Sequence, residues 1–499
     1  MSLATLHGKT TVSPLAMLVL LLVLIQGTST TLTLVYQYST TLEPLISLIW
    51  AGTYLIALVG LMANFGINWI TWLVRYRLLL CILLAGTAFS AMWSLDAALT
   101  MERTVHLIGS TVIAFYIGFT IPLTRIVATT AVVLGVLAAA SIAVALAVPS
   151  LGIENYEGRN VWRGVMTSKN TLGFWSTICI LANAVMFGNV RSLGLKFLCI
   201  IGMAVGLVAL AFSVSATSLL ALIVSALVMS YLFVAFRFEL GLVSTLVLGA
   251  LCAAMVGFAF YNINTAELIG RSGDLTGRGE VWAQTWKLIM DKPLTGYGYG
   301  TIWYPTDASI WIQQQLTDFS WKVFHAHNGL LQLASEIGLP LTFIAILMIT
   351  QQLIEIIYCQ YQRQQAGVLF VLGFLLALLV SNYSEARLVV NRELYWIFFV
   401  ALPISMLQQV TVKSGVPFYP MPAALHKRTR EKQATNASDR QHRRELKKRL
   451  HSRYETQQSN GNIIEGDVVS MLSATVTKTN SQRRQKKYKS NKPQKKTGS

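Results

Sequence analysis

The sequence predicts an all-α polytopic membrane protein, with about twelve transmembrane helices and one large extracytoplasmic loop. Three observations carry that expectation. The chain is 54% hydrophobic and only 12% charged, about half the charged share of a soluble domain. Its apolar residues come in repeated blocks of about 18 to 25, the length a helix needs to cross hydrocarbon. The two-residue alternation of a β-barrel is absent, so the spans are expected to be helical. Charge and cysteine usage narrow the classes further. Residues 411–499 hold 21 Lys and Arg against 6 Asp and Glu, so +15 of the net +18 sits in this tail and +3 in the first 410 residues. The five cysteines lie in or beside apolar blocks without a CxxC pair, which points away from a disulfide framework or a zinc site.

Taken in order, the apolar blocks place spans near 13–30, 44–65, 78–94, 104–122, 126–148, 171–190, 195–212, 217–236, 240–262, 328–350, 367–382 and 393–410. The first block, Leu15 to Ile25 behind His7 and Lys9, has the look of a signal peptide. Ser29-Thr30-Thr31 makes a poor cleavage site, so a retained span is preferred. Residues 1–410 then form the membrane catalytic domain, and 411–499 a basic, disordered tail with a helical piece around Arg440 to Arg453. The tail is expected to lie on anionic headgroups. Without stacking aromatics or a recognised fold, nucleic acid is not expected as its partner.

Orientation follows from basic residues in short connections. A cytoplasmic tail and an even span count put both termini inside. Arg75, Arg77, Arg125, Arg191, Lys196, Arg237 and Arg363 then fall inside or at the inner edge. The outer loops become 31–43, 95–103, 149–170, 213–216, 263–327 and 383–392. Arginines remain there against the bias, among them Arg103, Arg159, Arg163, Arg271, Arg278, Arg387 and Arg392. An anionic substrate on that face is a reason to keep them.

The loop 263–327 is the polar island of the chain. Within it, 280–290 reads as a short amphipathic helix, with Trp282, Trp286 and Ile289 on one apolar face and Pro293 behind its end. Such a helix is expected at headgroup depth. Arg278 stands just before its first turn, where a cation opposes the helix dipole unless an anion shares the spot. The run Gly296-Tyr297-Gly298-Tyr299-Gly300 follows no strand and lacks a lysine-serine ending, so it is not a nucleotide loop. His325-Ala326-His327-Asn328 lies where the loop meets the next span, and histidine there can act as a general base near neutral pH. Two histidines with no acidic partner in view are a poor metal site. Asn328, Gln332, Ser335 and Glu336 form a polar stripe on the following helix, expected to face a water-filled cavity beneath the loop. Arg163, Lys169 and Asn170 close the 149–170 loop. Ser384, Glu385 and Arg387 sit at the mouth of the eleventh span, with Glu385 the best carboxylate for holding an arginine or a sugar hydroxyl and a local ion pair with Arg387 as the plain alternative.

At these residues the chain resembles the Wzy-type polysaccharide polymerases and O-antigen ligases, especially the exopolysaccharide-polymerase (ExoQ-type) branch. The resemblance rests on Gly277-Arg278 with Trp282, on 291–298 (DKPLTGYG), on 325–332 (HAHNGLLQ) with Glu336-Ile337-Gly338, on 168–173 (SKNTLG), and on 382–385 (NYSE). Ser168 stands where some relatives are expected to carry histidine. The resemblance covers about 160–400 and implies a GT-C-like helical bundle in a bacterial inner membrane. It also implies transfer of sugar from a polyprenyl-diphosphate-linked oligosaccharide, with no metal or other cofactor. It associates Arg278 with the diphosphate and makes His327 the base. His327, Arg278 and Glu385 are thus the catalytic candidates. Arg163, Lys169, Asn170, Arg271, Trp282, His325, Asn328 and Arg387 are the substrate-binding candidates. Expected partners are the lipid-linked donor and acceptor, membrane lipids and other exopolysaccharide assembly proteins.

The expected activity is polymerisation of repeat units on the outer membrane face, by inverting displacement. A ligase that moves finished glycan to a lipid or protein shares the same motifs. A lipid-oligosaccharide flippase predicts charged spans and short outer loops, unlike this chain. A nucleotide-sugar transferase would need a cytosolic domain and usually a DxD motif, and neither is present.

Overall fold

The computed structural model describes residues 12–30, 43–156, 158–238, 278–304, 325–363 and 366–414. All of them fall within the unit Met1–Pro420. The expected span at 240–262, Arg271 and the tail lie outside the described residues. The helices are α1 Pro14–Gln26, α2 Glu43–Phe65, α3 Asn68–Tyr76, α4 Leu78–Phe89, α5 Ala97–Thr120, α6 Leu123–Ala147, α7 Lys169–Asn189, α8 Leu193–Ser213, α9 Ala216–Arg237, α10 Arg278–Asp291, α11 Gly329–Arg363, α12 Ala366–Asn382 and α13 Leu394–Ser414. Their shared core runs from α1 to α13 and is dense in aromatics, with Trp175, Trp396, Phe174 and Phe398 fully buried.

Six of these helices are long and apolar enough to cross a membrane, or seven with the pair Asn68–Tyr76 and Leu78–Met92, which is bent by 96°. The protein is therefore multi-pass, and the figure of about twelve is not reached by length and composition among the described residues. Three of the expected spans, at Pro14–Gln26, Gly367–Asn382 and Leu394–Gln408, are apolar but short. Helix α5 is long enough, but carries Glu102, Arg103 and His106 in its first half. The bend between α3 and α4 was not expected from the sequence. It falls at Arg77, outside helical geometry, where the guanidinium forks onto the Glu355 carboxylate of α11.

A second departure is the 149–170 connection, which contains a hairpin. Strands β1 (Ile153–Tyr156) and β2 (Arg159–Trp162) pair antiparallel with Ile153 opposite Trp162 and Tyr156 opposite Arg159. A third is the long helix α11, which is broken. Gly338 leaves helical geometry (φ 79°, ψ 166°) and Pro340 has no N–H. The carbonyls of Ser335 and Glu336 are thereby freed, and a bilayer gives them no water. The run 296–300 supplies the donors instead. Tyr297 N–H reaches Ser335 O at 3.0 Å and Gly298 N–H reaches Glu336 O at 2.8 Å, while Leu339 N–H turns to Pro293 O at 2.8 Å. Gly296 (φ 64°) allows this approach, since a Cβ there would strike the Glu336 carbonyl. The glycine-tyrosine run is thus the patch on a broken span.

The amphipathic helix exists, slightly longer than expected, but its buried face is turned. Val281, Thr285, Leu288 and Ile289 are buried, Trp282 is half-buried, and Trp286 is 52% exposed. The sequence pattern weights tryptophan as a face marker. In the fold the smaller Val281 and Leu288 pack inward, with Tyr297, Ile302, Trp303 and Ala326.

Candidate active site

One end of the bundle gathers the starts of α7, α9 and α11, the end of α12, and the connection from α12 to α13. Each start has a local cause. Ser168 caps α7 by accepting Thr171 N–H at 3.2 Å. Asn328 caps α11 by accepting Leu330 and Leu331 N–H at 3.1 Å each, while its amide reaches Tyr383 O at 3.4 Å. Asn328, a binding candidate by sequence, is placed as a helix cap. At the end of α12 the Asn382 carboxamide oxygen accepts the N–H groups of Arg387 and Leu388, both at 3.0 Å. This closes the turn that aims Glu385 and Arg387 apart.

Asn170 is the hub. Its Nδ2 donates to Glu385 Oε1 at 2.7 Å, its Oδ1 accepts from Ser215 Oγ at 3.1 Å, and its carbonyl accepts from Arg387 Nη2 at 3.1 Å. Thr217 and Ser384 join the same elements through their hydroxyls at 2.8 Å. Glu385 is buried, and its other oxygen, Oε2, lies 3.7 Å from His325 Nε2. The ring of His325 lies against that of His327 at 4.0 Å between centroids. His325 Nδ1 accepts the His327 N–H at 3.2 Å. An accepting Nδ1 assigns the His325 proton to Nε2, the nitrogen facing Glu385. His327 adopts φ 49°, a left-handed backbone that costs a non-glycine residue about 1 kcal/mol or more.

The histidine turn is held from both sides of Ala326. Trp282 Nε1 donates to Ala326 O at 3.1 Å, and Ala326 N–H donates to Gln332 Oε1 at 3.3 Å. Arg278 is the first residue of α10, one helical turn before Trp282. The Arg278 backbone is therefore about 6 Å along the helix from the residue that grips the histidine turn.

Arg387 does not fit its expected role of reaching an external anion. It is 6% exposed, binds Tyr395 Oη and the Asn170 carbonyl, and lies over the rings of Phe174 (5.0 Å) and Tyr395 (4.6 Å). Burial pulls its guanidinium below the usual arginine range, opposed by the charges of Glu385 and Glu393. Lys169 is likewise buried, with its ammonium 3.5 Å from the Tyr156 ring centroid and its N–H on Glu154 Oε1 at 3.0 Å. Arg163 Nε donates to Leu151 O at 2.9 Å and anchors the hairpin. Of the expected cluster, Asn170, His325, His327, Glu385 and Arg387 come together. Trp282 and Asn328 support them.

Several contributors were not singled out from sequence. Ser215 stood in a four-residue connection read only as a loop and Thr217 opened the span expected at 217–236, although small polar residues at a helix mouth were a usable signal. Glu154 and Tyr156 were hidden by the unexpected hairpin. The sequence showed no acid near the two histidines, whereas the fold brings Glu385 to them. The ligating atoms of His325, His327 and Glu385 lie within 4.8 Å of one another, a donor set with the span of a cation site. The lower half of the polar stripe on α11 faces inward, with Ser335 0% and Glu336 3% exposed, while Asn328 and Gln332 are half-buried.

Among curated proteins nothing matches the chain. A match to a family model covers the histidines, Arg278 and the first half of α11, and leaves Asn170, Glu385 and Arg387 outside it. The match carries nothing about the exopolysaccharide branch. Residues 201–346 match the family described as O-antigen ligase, which supports the Wzy-type polymerase and O-antigen ligase family for this chain.

Proposed function

We propose that the protein is a glycosyltransferase that polymerises oligosaccharide repeat units carried on polyprenyl diphosphate, on the extracytoplasmic face of the membrane. The observation that carries this is the convergence of His325, His327 and Glu385, with Asn170 fixing the carboxylate, at the mouth of a helical bundle. His327 takes the proton from the acceptor hydroxyl. The hydroxyl oxygen bonds to the anomeric carbon, and the bond from that carbon to the diphosphate oxygen breaks, its electron pair leaving with the diphosphate. Arg278, the first residue of α10, is assigned to the developing charge on the diphosphate, at the end of the helix where the dipole favours an anion. A single displacement inverts the anomeric centre. Glu385 acts through His325, and Arg387 becomes a positioning residue. No metal enters this scheme.

Ligation of a finished glycan is the second reading, favoured by the description of the matching family. Deleting the gene and analysing lipid-linked glycans separates the two. Accumulated single repeat units support polymerisation. Long lipid-linked chains that never reach a final acceptor support ligation. Retained full activity in folded His327→Ala and Arg278→Ala proteins removes this assignment of the site.

A further inference from the structure

The stretch 381–390 carries Glu385 and Arg387, and Tyr383 is its one exposed residue. Ser381, Asn382, Ser384 and Glu385 around it are buried, while Tyr383 is 43% exposed. Its backbone is nevertheless held. The Tyr383 N–H donates to Val380 O at 3.3 Å, and its carbonyl accepts from Asn328 Nδ2 at 3.4 Å. The ring meets that of Trp282 in a T-shaped contact, with centroids 5.6 Å apart and planes at 70°. These contacts close a circle around the candidate site. Tyr383 lies two residues before Glu385, and Glu385 Oε2 lies 3.7 Å from His325 Nε2. The carbonyl of the next residue, Ala326, accepts from Trp282 Nε1 at 3.1 Å, and Trp282 returns to Tyr383.

A T-shaped contact covers at most one face of a ring, so Trp282 leaves Tyr383 another. A tyrosine has two χ angles to fix, and its backbone is already fixed here, so little order is lost when a ligand packs on it. A flat amphipathic ring displayed beside acid–base groups suits a sugar. The C–H groups of a pyranose form an apolar face that lies on an aromatic ring, and its hydroxyls stay at the edge. We propose that Tyr383, braced by Trp282, is a stacking platform for one pyranose ring of the glycan substrate, seated beside His325, His327 and Glu385. The proposal rests on the transferase reading for its kinetic effects but not for sugar binding. A stacked ring is held equally in the ground state and the transition state, so the platform acts on KM rather than on kcat. Anchoring at the membrane interface is the other use of an exposed tyrosine, and the test separates the two.

The test uses the full-length protein in nanodiscs, free of sugar-based detergent. Lipid-linked oligosaccharide purified from the cells is the donor. The same oligosaccharide, released by mild acid, is the soluble acceptor and the binding probe. Hydroxyl-radical footprinting of the wild type, mapped by mass spectrometry, needs no variant and no turnover. Oxidation of the Tyr383 ring is expected to be suppressed by saturating oligosaccharide. In kinetics, Tyr383→Leu is expected to raise KM about 3- to 10-fold, roughly the worth of one aromatic contact, with kcat within about twofold of wild type. Tyr383→Phe keeps the ring, and its KM is expected to stay within about twofold of wild type. A rise confined to the soluble oligosaccharide assigns the acceptor sugar to the platform, and a rise confined to the lipid-linked donor assigns the donor sugar; either supports the proposal. Unsuppressed oxidation of Tyr383 would overturn it, and this result stands even where Tyr383→Leu does not fold. A folded Tyr383→Leu protein with unchanged KM for both substrates would overturn it too, and a lowered melting temperature in that protein would mark an interface anchor. Suppressed oxidation in a wild type without turnover would defeat the transferase reading and leave the platform standing. Turnover with Tyr383 oxidation unsuppressed would defeat the platform alone.

Discussion

Replacing Asn170 by aspartate changes one atom type at the hub and leaves its size intact. In the wild type, Asn170 Nδ2 donates to Glu385 Oε1 across 2.7 Å. Aspartate puts a second carboxylate oxygen at that distance. Two like charges there repel by roughly 6 kcal/mol at an effective dielectric of about 20, and by about half of that if water reaches the pair. The pair avoids this by sharing a proton. At ~1.4 kcal/mol per pH unit, a carboxyl that ordinarily titrates near 4.3 then holds its proton to about pH 6.5–8.5. While the proton is present, the substituted side chain still donates to Glu385 and the net charge equals that of the wild type. Once it leaves, the hub opens and a charge-assisted bond worth about 1.5–3 kcal/mol is lost. The ratio of Asn170→Asp turnover to wild-type turnover should therefore stay near one at pH 6 and fall about 10- to 100-fold by pH 9. Taking the ratio at each pH cancels the titration of His325 and His327. Initial rates of glycan transfer in proteoliposomes, with melting temperatures recorded at both pH values, provide the measurement. A ratio that does not change with pH would refute the role given to this contact, as would equal losses at pH 6 and pH 9.

Glu393, just before α13, accepts from Ser29 Oγ at 2.9 Å, and burial raises its carboxyl from 4.5 to about 7 despite the Ser29 bond and the charge of Arg387. The folded protein holds that proton to higher pH than the unfolded chain, so stability is greatest below about 4.5 and falls as pH rises towards 7, by at most about 3 kcal/mol. Glu393→Gln removes this slope. Melting temperatures by intrinsic fluorescence should favour the variant at pH 8 and converge with wild type near pH 5, and parallel curves would contradict the assignment. Gly338→Ala places a side chain at φ 79° against the Leu294 carbonyl, and should cost about 1–3 kcal/mol, read as a lowered melting temperature with loss of monodisperse protein. Treatment with EDTA or 1,10-phenanthroline should leave turnover within about twofold of the untreated enzyme. Abolition reversed by added zinc would instead make His325, His327 and Glu385 a metal centre.

What the sequence disclosed and what it hid divide along contact range. Helix α10 was legible because its pattern is local and Pro293 follows its end, and it extends only slightly beyond 280–290. Its inward face was misjudged by about one residue, since tryptophans carry the apolar pattern while Trp286 points outward. The pair Glu385 and Arg387 shows the deeper limit. Two residues apart, they read as partners. Asn382 bends the chain between them, so Glu385 meets Asn170 and His325 while Arg387 meets Tyr395 and the Asn170 carbonyl. Asn170 and Glu385 stand 215 residues apart, and nothing in spacing or periodicity encodes that contact. The break in α11 carried a readable sign, Gly338-Leu339-Pro340. Its consequence, that the glycine-tyrosine run supplies the missing hydrogen bonds, required the two segments to be side by side.

Backbone strain follows the same division and ties the site together. The non-glycine residues with left-handed backbones include His327, Val389 and Arg392. One is in the histidine turn, and two are in the connection that also carries Glu385 and Arg387. Such a conformation persists only where neighbours over-determine it, and here the ties are identifiable. Val389 O is held by Tyr299 Oη, Arg392 N–H donates to Ser110 Oγ at 3.1 Å, and the Arg392 guanidinium contacts His106 and Ser47. Tyr299 is itself anchored, its N–H donating to Ser90 Oγ at 3.1 Å. The run 296–300 therefore acts on both halves of the site. Through the Ser335 and Glu336 carbonyls it holds the helix that follows the histidine turn, and through Val389 O it reaches the connection bearing Glu385. A glycine-rich loop whose first duty is to repair a broken helix thus also ties that helix to the connection carrying Glu385.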